Sequence, residues 1–237
     1  MRRSWIVQPG KEAGFTLVEA AISLAIIGAA VAGIWLAASS VQRSVQLTTL
    51  GEQLHQIVDN VRGLYTNQRG MFVDNAQAQV NGAACGAANF NSRLSCLGVY
   101  PVDLITGVAG NDAYHVWDQT LAGGSVLVLP RDINYNVIGV APGPDSFGVQ
   151  LLNLPEDICT EMVVRHSVPD QKYDLKAVLF YDGVGALTDD YVTASRPPDW
   201  TLGNTRTDQL PVNPTQAVTA CTGAGAVEFV FSLRGGG

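Results

Sequence analysis

The sequence predicts an α+β fold in which a long N-terminal α-helix packs its second half on a C-terminal antiparallel β-sheet head. Three observations lead to this prediction. An apolar run covers residues 15–38, hydrophobic residues at helical spacing continue as far as Tyr65, and short strand-like segments occupy the second half of the chain. The length of 237 residues suffices for one such domain with an appendage.

The apolar run contains a single charged residue, Glu19. At a rise of about 1.5 Å per residue, a helix of this length crosses a hydrocarbon core of about 30 Å. Arg2, Arg3 and Lys11 precede the run, and the positive-inside rule therefore places the N-terminus in the cytoplasm. We expect one membrane-spanning segment, with the rest of the chain outside.

The helical pattern continues beyond the apolar run as an amphipathic stripe. Its members recur mostly every three or four positions: Val41, Val45, Leu50, Leu54, Ile57, Val58, Val61, Leu64 and Tyr65. No proline occurs between Phe15 and Pro101, so nothing forces a break. The sequence therefore predicts one helix over residues 15–66, followed by a globular head over residues 67–237.

The head begins with residues 67–124, which are rich in Asn, Gly, Ala and Gln and predict a long connection with short helical pieces. Strand-like segments then follow at residues 125–130, 136–141, 147–152, 175–181 and 227–233. In the last of them Val227, Phe229 and Phe231 alternate with Glu228 and Val230, which predicts a sheet with one buried face.

Residues 154–166 predict a helix, because Pro155 and two acidic residues form a favourable N-terminus. We expect its buried face to be formed by Ile158, Cys159, Met162 and Val163. Residues 183–225 contain several prolines and are predicted to form loops.

The four cysteines, Cys85, Cys96, Cys159 and Cys221, include no closely spaced pair of the kind that binds zinc. In an exported domain, their even number suggests two disulfides. Three pairings are possible, and Cys85–Cys96 with Cys159–Cys221 is the simplest, since each bridge then closes a loop within its own region. Free buried cysteines are the alternative.

No catalytic, cofactor or metal site is predicted. The three histidines, His55, His115 and His166, share no motif with a serine or carboxylate, and His55 is expected to be solvated. Three aspartates that could be considered for calcium lack the EF-hand spacing: Asp182, Asp189 and Asp190. The net charge of −7 and the absence of basic clusters argue against nucleic-acid binding. We therefore do not expect an enzyme.

Glu19 requires an explanation, because a carboxylate inside a membrane span costs roughly 2.5–3.5 kcal/mol on insertion scales. The span contains no basic residue that would pair with it. A partner on another molecule would meet this need. If the chain were cut between Gly14 and Phe15, the new α-amino group of a neighbouring copy could lie opposite Glu19 in a staggered helix bundle and fix its register.

The segment KEAGFTLVEAAISLAIIG resembles the processing and assembly segment of type IV prepilins. The resemblance implies a leader peptide over residues 1–14 and a cut after Gly14 by prepilin peptidase. It also implies N-methylation of Phe15 and a role for Glu19 in filament assembly.

Four further segments resemble type IVb pilin heads: LGEQLHQIVDNVRGLYTNQ, LGVYPVDL, FGVQLLNLPEDICTEMV and ACTGAGAVEFVFSL. This resemblance implies the type IV pilin fold and a Cys159–Cys221 disulfide. The short leader and Phe15 are departures from type IVb, and the proline that many pilins have near the middle of the apolar helix is absent. The Cys85–Cys96 pair has no counterpart carried over from the family.

The resemblance implies a structural subunit of an extracellular filament that serves adhesion, conjugation or motility. Its expected partners are prepilin peptidase, further pilin subunits in a helical filament and the inner-membrane assembly platform. The precursor is expected in the inner membrane. Alternatives are a minor pilin or tip adhesin, a type II secretion pseudopilin, a plain single-pass anchor, and a membrane-anchored periplasmic binding protein or enzyme.

Overall fold

A computed structural model describes residues 16–66, 90–105, 113–119, 125–131, 146–168, 173–182, 205–207 and 210–234. The chain divides into two compact units, Met1–Val45 and Gln46–Gly237. The second half of the long helix belongs to the same unit as the head.

Helix α1 covers Leu17–Tyr65 without interruption, which confirms the prediction of one long helix. Within the second unit one face of this helix is buried, formed by Leu47, Leu50, Gly51, Leu54, Ile57, Val58, Val61 and Tyr65. Val41 and Val45 are exposed, so the buried stripe begins six residues later than the pattern predicted. Both valines belong to the first unit, whose described residues are all exposed.

The described residues of the head form three further α-helices: α2 (Phe90–Cys96), α3 (Glu156–His166) and α4 (Pro214–Cys221). Its strands are β1 (Val126–Arg131), β2 (Ser146–Leu152), β3 (Leu175–Asp182), β4 (Thr205–Thr207) and β5 (Ala224–Ser232). Within the described part of the chain they form one antiparallel sheet in the order β1-β2-β5-β3-β4. The predicted strand at residues 136–141 lies outside the described residues.

One face of the sheet shares a hydrophobic core with the buried side of α1 and with α3. Phe147, Phe229 and Phe231 lie on this face with less than 3% of their surface exposed. The guanidinium group of Arg62 adds a polar link, because it donates hydrogen bonds to the carbonyls of Ser232 (2.7 Å) and Tyr173 (2.6 Å). The second half of α1 is therefore an integral part of the head.

The second face of the sheet is also buried, so the prediction of a single buried face was wrong. A separate apolar cluster occupies it, composed of Leu127, Leu152, Ala177, Leu179, Tyr181, Ala226 and Val230. Glu228, expected among the polar alternating positions, is fully buried on this face. The alternation of β5 correctly separated the two faces but did not reveal that both are covered.

Glu228 is buried together with two partners that neutralise and orient its carboxylate. Arg131 of β1 donates to Glu228 through Nε (2.6 Å) and Nη2, and the Tyr181 hydroxyl of β3 donates at 2.7 Å. The carboxylate lies over Gly148 of β2, where an added Cβ would come within 1.5 Å of Glu228 Oε1. A glycine at 148 therefore leaves the space for an ion pair that links β1 to β5 across β2.

The prediction that residues 183–225 form loops was wrong at β4, at α4 and at the start of β5, which begins at Ala224. Helix α4 begins with Asn213 as its N-cap, Pro214 at the first position and Gln216 completing a capping box. The Asn213 side chain accepts from the Gln216 N–H at 2.9 Å, and the Gln216 side chain accepts from the Asn213 N–H at 3.3 Å. This start signal was readable in the sequence, but the helix is too short to show a clear hydrophobic period.

Helix α3 agrees with its prediction, including the start at Pro155 and the buried face of Ile158, Cys159, Met162 and Val163. The Cys159–Cys221 disulfide joins α3 to α4, which confirms this pairing. Cys96 at the end of α2 is also disulfide-bonded. Cys85 lies outside the described residues, so the Cys85–Cys96 pairing stays a prediction.

We predict that Gly148→Ala destabilises the head by about 3 kcal/mol or more, because the new methyl group displaces Glu228 from Arg131 and breaks a buried ion pair. Thermal unfolding of the full chain in detergent, followed by near-ultraviolet circular dichroism, measures the effect. Gly63→Ala in α1 is the matched control, since nothing lies within 4 Å of an added Cβ there. Equal melting temperatures for the two variants would contradict the role assigned to Gly148.

Candidate assembly segment

The described part of α1 begins with a side-chain cap from Thr16. The Glu19 N–H donates to Thr16 Oγ1 at 3.3 Å, and the Ala20 N–H donates to the Thr16 carbonyl at 3.1 Å. Thr16 and Glu19 have the spacing of a capping box, in which the threonine hydroxyl satisfies an otherwise unpaired helix N–H. This local role was not predicted from the sequence, although the TLVE segment contains its signal.

Glu19 lies in the first turn of α1 and is exposed. Its carboxylate is therefore near the positive end of the helix dipole, which stabilises a negative charge. This position gives Glu19 a favourable interaction within its own chain in addition to any intermolecular partner. Gly14 and Phe15, the predicted cleavage and methylation positions, lie outside the described residues.

The apolar half of α1 exposes its large side chains on every side. They are Leu17, Val18, Ile22, Leu24, Ile26, Ile27, Val31, Ile34, Trp35, Leu36, Val41 and Val45. By length and composition α1 is able to cross a membrane, and the qualifying window has a mean hydropathy of 2.2. An apolar surface of this extent requires lipid or another protein surface as its partner.

The three histidines belong to the second unit, where their rings take part in packing or hydrogen bonding. His55 is not freely solvated as predicted, since its ring stacks on Tyr173 with 4.0 Å between centroids. The ring of His166 meets His55 edge-on at 5.3 Å and lies over Gly51, where a Cβ would come within 2.3 Å of the ring. Burial, aided by His55 and Arg165, lowers the pKa of His166 to about 4.

His115 is a fully buried histidine whose two ring nitrogens both have backbone partners. Nε2 lies 2.6 Å from the Leu152 carbonyl, and Nδ1 accepts from the Asp118 N–H at 3.2 Å. Burial lowers the pKa of this imidazole. These contacts hold a neutral ring between Leu152 of β2 and the turn at Asp118. His115 therefore has a structural role.

Within the described ranges there is no group of three or more His, Cys, Asp or Glu side chains placed to hold a metal ion. Asp189 and Asp190 fall outside those ranges. The Arg131–Glu228–Tyr181 cluster is polar and buried, but its members satisfy one another by hydrogen bonds. Its geometry is that of a structural ion pair.

The pattern described as the prokaryotic N-terminal methylation motif matches residues 9–35. No curated protein matches the chain at a significant level. The motif and the long N-terminal helix with an antiparallel sheet support a type IV pilin-like or pseudopilin protein. The resemblance seen in the sequence is confirmed at this level, and the type IVb subclass stays a prediction.

The motif indicates a structural, non-enzymatic protein and implies processing by prepilin peptidase and assembly with other pilins. Together with the apolar helix α1 near the N-terminus, it fits a membrane-anchored precursor. The motif at residues 9–35, which includes the described start of α1, supports this assignment, and the head supports only the fold.

We predict that the free energy of unfolding of the head falls between pH 6.5 and pH 4, because His166 becomes protonated in the unfolded chain while it stays neutral in the folded one. Because its folded pKa lies below the unfolded value, the unfolded chain binds more protons in this window, and stability present above pH 6.5 falls as the pH falls. The expected loss is of the order of 1–3 kcal/mol.

Urea unfolding of the full chain at a series of pH values measures this loss. The variant His166→Gln should reduce the pH dependence in this window without abolishing it, because buried His115 also has a lowered pKa. Asn60→Gln, which removes no titrating group, should retain the full dependence. An unchanged slope in His166→Gln would show that other groups cause the acid sensitivity.

Proposed function

We propose that this protein is a structural subunit of a type IV pilus. Prepilin peptidase cuts the leader, residues 1–14, between Gly14 and Phe15 and methylates the new N-terminus. The inner membrane stores the subunit through the apolar segment 15–38, and the assembly platform moves it into an extracellular filament. The observation that carries the proposal is the methylation motif at the start of a long helix with an exposed apolar half.

The division of α1 supports two successive environments for its apolar half. Every described residue before Gln46 is exposed, while the second half of the helix contributes to the core of the head. Lipid covers the apolar half in the precursor, and like helices cover it in the filament. The transfer between them is inexpensive because both environments are apolar.

Glu19 has a separate role in this proposal, which is to select the axial stagger of neighbouring helices. The methylated α-amino group of one subunit pairs with the Glu19 carboxylate of the next. A charge pair of this kind inside an apolar bundle penalises other registers, because they leave one charge buried without a partner. The first-turn position of Glu19 keeps its carboxylate near the helix end.

A type II secretion pseudopilin or a minor pilin is the second candidate function, because the methylation motif is common to these proteins. The two-disulfide arrangement and the type IVb-like head segments favour a pilus subunit. Abundance in purified filaments separates the possibilities, since a major subunit dominates the preparation, whereas a minor pilin or tip adhesin is a trace component.

We predict that the chain recovered from filaments begins at Phe15 and has one methyl group on its α-amine. Intact-mass and N-terminal peptide mass spectrometry of filaments sheared from cells measure both features. A filament chain that still contains Met1, or a start at another residue, would contradict the proposed processing.

The variant Glu19→Gln tests the pairing role in the same experiment, with the unmodified chain as the control. The substitution keeps the size of the side chain and removes its charge. It should be cut after Gly14 in the membrane fraction but should be absent from, or much reduced in, the sheared filaments. Normal filaments from Glu19→Gln would refute the pairing role while leaving the processing step intact.

A further inference from the structure

The charged residues nearest to the apolar part of α1 are Glu19 on one side and Arg43 on the other, and both are exposed. The helix rise puts their Cα atoms about 36 Å apart. A hydrocarbon core is about 30 Å thick, and about 40–45 Å with the headgroup regions. Even at the usual tilt of about 20°, the separation along the bilayer normal is about 34 Å. Both charges therefore reach headgroup regions at the same time.

The polar side chains between these two residues include serines whose hydroxyls are satisfied within the helix. Ser23 donates to the Glu19 carbonyl at 2.8 Å, and Ser39 and Ser40 each donate at 2.9 Å to the carbonyl three residues before them. A hydroxyl bonded in this way does not need water. The stretch from Ala20 to Val41 is thus compatible with hydrocarbon over its length.

Trp35 suggests a different depth of α1 in the bilayer, because tryptophan is enriched at membrane interfaces and this side chain is 75% exposed. If Trp35 lay at the outer interface, Glu19 would be about 24 Å away and inside a core of about 30 Å. If the two charged residues define the boundaries, the midplane falls near Val31 and Trp35 lies about 6 Å from it.

The two placements differ mainly in which group loses its water. Burying a carboxylate removes hydration from a full charge, whereas burying an indole desolvates one N–H on an otherwise apolar ring. The carboxylate therefore decides between them. The second placement also brings Arg43 into the outer headgroup region rather than well beyond it.

We propose that in the membrane-anchored precursor Glu19 and Arg43 lie in opposite headgroup regions, that residues 20–42 span the bilayer, and that Trp35 lies within the hydrocarbon. This inference rests on the proposed function, since it requires the membrane-stored precursor. In that state Glu19 needs no partner. Its need for a counter-charge arises only when α1 leaves the bilayer for a helix bundle.

Fluorescence quenching by brominated lipids tests the depth of Trp35. The full-length precursor is placed in phosphatidylcholine nanodiscs whose lipids are brominated either near the headgroup or near the chain end. Subtracting the signal of Trp35→Phe removes the contributions of Trp5, Trp117 and Trp200. The deep label should quench Trp35 about twofold or more strongly than the shallow label, as expected for a side chain near the midplane.

Stronger quenching by the shallow label would overturn this membrane register while leaving the anchored precursor intact. Quenching by neither label would overturn the register and the membrane-anchored precursor together. The two failures are therefore distinguishable.

Thiol labelling measures the position of the inner boundary while Glu19 is kept in place. In the same nanodiscs a water-soluble maleimide should react about tenfold or more rapidly with Ala20→Cys than with Leu24→Cys, because thiolate formation requires water. In the placement set by Trp35, both positions lie in hydrocarbon. Equally slow labelling of both variants would therefore overturn the proposal.

Discussion

One continuous helix, α1 (Leu17–Tyr65), has exposed apolar residues in the first unit and contributes core residues to the second. The buried half is held in the head by apolar packing and by the hydrogen bonds of Arg62. An exposed apolar surface of this extent is typical of a segment that lipid or another protein surface covers.

The long periodic elements could be predicted from the sequence because their signals are local. Helix α1 has no proline over its length, and α3 has an acidic start followed by one apolar face. Helix α4 and strand β4 were missed because each is too short for a hydrophobic period to emerge. Glu228 was misread because its partner Arg131 lies on another strand, and alternation within one strand contains no information about a distant counter-charge.

The assembly segment was predictable to a greater degree than the head, because the methylation motif combines residue types at fixed spacing over a short range. The sequence alone presented Glu19 as a charge inside a membrane span. The structure adds that Glu19 belongs to the first turn, beside the Thr16 cap, where the helix dipole favours a carboxylate. This local stabilisation of the Glu19 carboxylate in the precursor is distinct from the pairing role proposed for it in the filament.

In the proposed filament, other copies of this chain cover the apolar half of α1 after it leaves the membrane. Electron cryomicroscopy of purified filaments can locate residues 17–45 relative to neighbouring subunits. We expect these residues to pack against the same segment of other copies in the filament interior. Filaments built from this chain in which residues 17–45 face solvent would contradict this packing.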